Sequence, residues 1–183
     1  MSKAGGTVGV LLAAGAGTRY GMPKVLVGQG EWLRIAIDAL IGGGCDDVVV
    51  VLGAAVVEVP APARAVVAER WADGMSASLR AGLAAADGAQ RVALHLVDTP
   101  DVGADVVRRV LAAADDSSAG LVRTSYRGRP GHPVVIDAAY WPALADSLHG
   151  DQGARQFLAA HSSEVVVVEC GDLATGADID LPS

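Results

Sequence analysis

The stretch Val8 to Lys24, VGVLLAAGAGTRYGMPK, constrains this chain more than any other part of it. Its apolar run, Val8 to Ala13, is short and β-branched at its start, as a parallel strand buried on both faces should be. The run ends in a small-residue loop that carries two cations, Arg19 and Lys24. Gly15 and Gly17 let backbone N–H groups approach a ligand that a Cβ would exclude. Consecutive N–H groups in such a turn form an anion-binding concavity, and Arg19 and Lys24 add full positive charge. This is the chemistry of a triphosphate site.

Two familiar phosphate loops do not fit. The dinucleotide fingerprint G-x-G-x-x-G differs from the spacing of Gly15, Gly17 and Gly21. It also wants an acidic residue about twenty positions on, and Asp38, near that offset, falls inside an expected helix. The P-loop wants Gly-Lys-Ser/Thr, whereas Gly21 is followed by Met22-Pro23-Lys24-Val25. The plain alternative is a glycine turn between strand and helix with two surface cations.

Strand and helix patterns alternate along the chain. Strands are expected near 7–13, 47–52, 64–68, 91–97, 120–126, 133–136 and 164–169, and helices near 31–42, 76–87, 103–115, 138–148 and 152–161. Such alternation predicts an α/β fold, a three-layer sandwich whose mostly parallel sheet carries helices on both faces. Ser76, after Gly74, is a candidate helix cap, with Ser78 as the other choice. Arg123 to Pro133, with Gly128, Pro130, Gly131 and Pro133, reads as a long exposed excursion near the site. At 183 residues the chain is expected to be a single domain, 1–183.

Composition narrows the classes. The chain is 51% hydrophobic but only 4% aromatic, so its core must be built from Ala, Val and Leu, which favours close helix-on-sheet packing. Mean hydropathy is +0.38, yet the longest uncharged apolar run, Val48 to Val57, falls far short of the roughly twenty residues of a spanning helix. Lys3 before an apolar stretch imitates a secretion signal, but the stretch is short, glycine-rich and followed at once by Arg19. A net charge of −7 argues against a nucleic-acid surface. Cys45 and Cys170 show neither metal-ligand spacing nor a disulfide framework, which points to a reduced, cytoplasmic setting.

In an open parallel sheet, ligands bind outside the carboxyl ends of the strands. Asp98 follows the run Val92 to Val97 at the same end as the glycine loop, and Thr99-Pro100 stops the strand there. The plain reading of Asp98 is a turn residue before proline. Asp151 and Arg155 read as a helix start with an i,i+4 pair. His95, His149 and His161 lack ligand spacing and read as structural.

The loop closely resembles the L-A-A-G-x-G-x-R-x-G-x-P-K motif of the MobA-like nucleotidyltransferases, and most of all the molybdenum-cofactor cytidylyltransferases. The stretches Gly74 to Leu83 (GMSASLRAGL), Val97 to Asp101 (VDTPD), Gly131-His-Pro133, Gly150 to Arg155 (GDQGAR) and Asp178-Ile-Asp180 occur in that family's order. The resemblance implies transfer of CMP from CTP to the phosphate of a molybdopterin-type cofactor, with release of pyrophosphate and Mg²⁺ as cofactor. It implies catalytic roles for Arg19, Lys24 and Asp98. Leu12, Ala13, Ala14, Gly15, Gly17, Gly74 and Ser78 would line the nucleotide site, with Ala14 leaning towards cytidine over guanosine. Asp98 matches the Asp of the family's G-D-x-P, with Val97 where the family has Gly. Asp178 and Asp180 share one side of an extended segment. Asp180, before the position where Leu181 replaces the family's Thr, is the preferred second metal ligand with Asp98. His132 would meet the acceptor phosphate. Three other readings stay open: another phosphorylated acceptor such as a sugar- or alcohol-phosphate, a non-catalytic protein delivering molybdenum cofactor to a molybdoenzyme, and an oxidoreductase.

Overall fold

β1 (Thr7–Leu12) is buried at every position and lies between β2 (Asp47–Leu52) and β4 (Arg91–Leu96), parallel to both. In the computed structural model, which describes residues 5–118 and 120–183, these three strands centre a seven-stranded sheet of order β3-β2-β1-β4-β6-β5-β7. The remaining strands are β3 (Arg64–Val67), β5 (Leu121–Tyr126), β6 (Arg129–Asp137) and β7 (Val166–Glu169). Among the pairings, only those of β6, with β4 and β5, are antiparallel. Lys3, with its signal-like setting, lies outside the described residues.

The period-two alternation of the strands sorts their side chains into two cores. Leu11, Val48, Val50 and Leu52 pack with α1 (Glu31–Gly43) and α3 (Ala104–Asp116). Val8, Val10, Val49 and Val51 pack on the other face with α2 (Met75–Ala85), α4 (Trp141–Ser147) and α5 (Arg155–Ala160). Helices thus cover both faces, as a β-branched parallel sheet requires. The helix-on-sheet contact is close: a Cβ on Gly82 of α2 would fall 2.5 Å from Val10 Cγ1. No helix among the described residues is long and apolar enough to cross a membrane. Cys45 and Cys170 are buried free thiols.

Three local expectations are corrected. Arg123 to Pro133 is not an exposed excursion but most of a β-hairpin. Its two-residue turn, Arg127-Gly128, has positive φ at both positions (53° and 81°), the geometry that matches strand twist. The Glu169 carboxylate accepts from both turn amides at 2.9 Å. Ser76 does not cap α2: Gly74 is the N-cap, without a side-chain cap bond, and Ser76 N donates instead to Gly150 O at 3.1 Å. Asp151 does not start α5, whose N-cap is Ala154. The 138–148 segment divides into a 3-10 turn, Ala138–Tyr140, and α4.

The connection through α1 carries the chain from β1 to β2 on one side, while β4 flanks β1 on the other. Such a switch point opens a crevice at the carboxyl ends of β1 and β4.

Candidate active site

Beyond Leu12 the chain has no regular structure from Ala13 to Gly17, turns through Thr18 to Gly21, and enters a 3-10 turn at Lys24–Gln29. Ala13 N donates to Val51 O at 3.0 Å, and Ala14 O accepts from Ala54 N at 2.9 Å, so the loop's start is fixed to β2 and its exit. The turn closes when Gly21 N donates to Gly17 O at 2.8 Å. Gly17 has φ +62°, and a Cβ there would lie 1.9 Å from the Met22 carbonyl oxygen. The fold itself therefore requires this glycine. Gly15 is different, because nothing in the protein lies within 4 Å of where its Cβ would be. Its bare backbone faces open space.

Asp98 follows β4 where Val97 N still donates to Leu12 O at 3.3 Å. Thr99 Oγ1 then bonds back to Leu96 O at 3.2 Å as the chain leaves the sheet. The carboxyl-terminal tail docks beside it. Ile179 N donates to Asp98 O at 3.0 Å, and Thr175 anchors the tail to Asp101 through its N and Oγ1, at 2.7 and 2.6 Å. Because Ile179 is tied to Asp98, its neighbours Asp178 and Asp180 bring their carboxylates to the same place. One oxygen from each of Asp98, Asp178 and Asp180 lies within 4.8 Å of the others.

Lys24 bridges two of the three. Its Nζ donates to Asp98 Oδ2 at 2.7 Å and to Asp180 Oδ1 at 2.8 Å. Arg19 Nη1 lies 3.6 Å from Asp180 Oδ2, with the Arg19 side chain 78% exposed. Desolvation lowers the Lys24 pKa, but the hydrogen bonds and charges of Asp180 and Asp98 outweigh it and hold the group above the usual lysine value. The Lys24 hydrogen bond holds Asp180 below the usual carboxylate range against the opposing effect of desolvation. Asp98 Oδ1 is buried with no hydrogen-bond partner among the described residues. Three converging carboxylates, one with an orphaned oxygen, form a donor set that suits a hard divalent cation, which takes oxygen ligands. The residues present fit such an ion.

The cleft above these groups has a volume of about 490 Å³, within the range of small-molecule sites. Its walls include every residue expected for the nucleotide and the metal: Leu12, Ala13, Ala14, Gly15, Gly17, Arg19, Lys24, Gly74, Ser78, Asp98 and Asp180. Leu12 to Gly17 come from the β1 loop, and Gly74 and Ser78 from the start of α2. Sequence reasoning missed Tyr20, Trp71, Met75 and Asp151 on the same walls. Asp178 was placed beside Asp180 by alternation but not chosen as a ligand, although it belongs to the cluster.

His132 is not among the residues lining this cleft. Burial pulls its pKa down to about 4, and the Asp178 charge opposes that only in part. The neighbouring His95 is fully buried, neither ring nitrogen is hydrogen-bonded among the described residues, and desolvation and then His132 lower it to about 3. Both rings are neutral near pH 7, His95 in the interior and His132 half-buried on β6.

Residues 9–165 match the model of the MobA-like NTP transferase domain. Nicotine blue oxidoreductase from Paenarthrobacter nicotinovorans is 40% identical over 185 residues, covering 94% of this chain and 91% of that protein. Among solved structures, Rv0371c from Mycobacterium tuberculosis H37Rv superposes with a TM-score of 0.77 at 27% identity, over 98% of this chain and 95% of that one. A structure of the same Rv0371C in complex with manganese gives 0.72 at 26% identity, over 97% and 95%.

Proposed function

The chain is an enzyme of the MobA-like NTP transferase family, and from that premise we propose that it transfers CMP from CTP to the terminal phosphate of a molybdopterin-type cofactor, releasing pyrophosphate. The observation that carries the reading is the cluster at the end of β4. Asp98, Asp178 and Asp180 converge within 4.8 Å directly beneath a glycine loop bearing Arg19 and Lys24. The reading takes residues 1–183 as one nucleotidyltransferase domain.

In this reading Asp98 and Asp180, with Asp178 beside them, hold Mg²⁺. An ion held there would supply positive charge against the triphosphate. The loop's backbone from Ala13 to Gly17 receives the triphosphate, and the open face of Gly15 lets the phosphates come close. Lys24, which stands between Asp98 and Asp180, would offset charge on the phosphates. Arg19, the more exposed cation, offsets charge on the departing pyrophosphate. An oxygen of the acceptor phosphate attacks the α-phosphorus in line, and the bond to the β-phosphate's bridging oxygen breaks. That attacking oxygen is already anionic, so the residues' work is positioning and charge neutralisation rather than proton removal. His132 does not line the cleft and is given no step in the transfer.

A second reading has one observation in its favour: the 40% identical relative is named an oxidoreductase. On that reading the same loop, Arg19 and Lys24 take the phosphates of a redox dinucleotide. The carboxylate cluster favours the first reading, because hydride transfer has no need of three converging carboxylates. Pyrophosphate release tests the proposal. The protein with Mg²⁺, CTP and a phosphorylated pterin should release pyrophosphate in step with CMP transfer. Release with a sugar- or alcohol-phosphate instead would change the acceptor, and NAD(P)H oxidation with no release would favour the second reading.

A further inference from the structure

Two cleft residues outside the phosphate and carboxylate groups have no polar partner among the described residues, although Trp71 also packs against the core on the α2 side of the sheet. Trp71 opens the 3-10 turn Trp71–Asp73 after β3. Its Cβ lies where a side chain on Gly53 would collide, 2.6 Å from that glycine's Cβ position, and the Ala14 carbonyl is 2.7 Å from the same point. Gly53 thus lets the indole settle against the start of the glycine loop. Among the described residues the Trp71 ring pairs with no other aromatic ring, and its Nε1 makes no hydrogen bond. Asp151 comes from the α4–α5 connection, which reaches the amino end of α2. Gly74, at φ +116°, has no Cβ to meet Asp151 Oδ1, which would be 2.5 Å away. The exposed Asp151 carboxylate has no hydrogen bond or ion pair among the described residues.

We propose that Asp151 and Trp71 read the base of the donor nucleotide: Trp71 packs on its face, and the Asp151 carboxylate accepts from an exocyclic amino group. The proposal rests on the nucleotidyl-transfer reading. An unpaired negative charge on the cleft wall repels phosphates, which Arg19 and Lys24 draw to the carboxylate end, so the portion of ligand beside Asp151 is a hydrogen-bond donor. Cytosine presents an amino group at its 4-position and uracil presents a carbonyl oxygen, which a carboxylate repels. An indole face accepts any base by stacking and so supplies affinity without choice. Selection among pyrimidines therefore belongs to Asp151, and grip belongs to Trp71.

Calorimetric titration of the full-length protein with CTP and with UTP, both with Mg²⁺, tests this. Wild type should bind CTP more tightly than UTP by roughly ten- to a hundredfold, the worth of a hydrogen bond to a charged group. Asp151→Asn, whose amide can both donate and accept, should weaken CTP, strengthen UTP and collapse that ratio. Trp71→Ala should weaken both nucleotides by a similar factor and leave the ratio in place. In a Trp32→Phe/Trp141→Phe protein, the fluorescence of Trp71 should be quenched by either nucleotide. A ratio unchanged in Asp151→Asn, or equal loss of both nucleotides as a ribose contact would give, overturns the inference while the donor reading stands. Binding of neither nucleotide by wild type overturns both.

Discussion

Lys24 Nζ and Asp98 Oδ2 lie 2.7 Å apart across 74 residues of sequence, tying the glycine loop to the end of β4. Lys24 is the charge partner of Asp98 at the centre of the cleft, and it shares its ammonium with Asp180 at 2.8 Å. Lys24→Ala and Asp98→Ala should each lower turnover by at least about two orders of magnitude, the usual result of losing a preorganised charge. Pyrophosphate release by folded variants checks this. Near-normal turnover would remove the residue from the mechanism.

Lys24 also stands where the divalent cation is expected. Without it, three carboxylate oxygens within 4.8 Å face one another, with Arg19 3.6 Å from Asp180 as the remaining ion pair among the described residues. Lys24→Ala should cost roughly 1–3 kcal/mol of stability in metal-free buffer, because a largely desolvated acceptor loses its donor. Mn²⁺ should return that stability, giving the variant a larger rise in melting temperature than wild type. Thermal melts with and without the ion read the difference, and equal shifts would place the cation elsewhere.

Two desolvated histidines set an acid limit. His95 and His132 titrate in the folded protein near pH 3 and 4, against about 6.5 when exposed. Between these values the unfolded chain binds protons that the folded chain refuses, so stability falls as the pH drops below about 6.5. Each group contributes a slope approaching 1.4 kcal/mol per pH unit. Asp180, held low by Lys24, adds its loss only below the ordinary carboxylate range. Denaturant unfolding from pH 7 to 4 should show this decline, and His95→Phe should flatten it.

Gly15 and Gly17 separate folding from binding. Gly17→Ala forces a side chain into the left-handed region and onto the Met22 carbonyl, so loop geometry and nucleotide affinity should both be lost, with a destabilisation of at least about 1–2 kcal/mol. Gly15→Ala meets no protein atom within 4 Å. It should melt as wild type does and still bind nucleotide at least about tenfold more weakly, because its methyl projects into the cleft. Melting curves paired with titrations distinguish these results.

Much of this was legible because parallel strands announce themselves. Val48-Val-Val-Val51 and Val92 to Leu96 are near-continuous apolar runs, and the glycine loop follows such a run directly. The β5–β6 hairpin was not legible, since Pro130, Gly131 and Pro133 read as loop residues. They are tolerated because β4 pairs with β6 only at Val134–Asp137, and the β5–β6 register shifts between Arg123 and Thr124. The prolines thus fall beyond the doubly paired stretch or beside an irregularity. His132, chosen as an acceptor contact for its Gly-His-Pro setting, is a half-buried residue of β6 that does not line the cleft. Trp71 carries no local signal, and Asp151, within GDQGAR, signals a helix start rather than a cleft wall. They become cleft residues only through Gly53 and Gly74, whose missing side chains make room for them.

Calorimetry with CTP, GTP, ATP, NADH and NADPH, with and without Mg²⁺, tests the central claim most directly. Tight binding of CTP that depends on Mg²⁺ and disappears in Asp98→Ala is the expected result. Binding of NADH or NADPH alone, indifferent to Mg²⁺ and to Asp98, would contradict it.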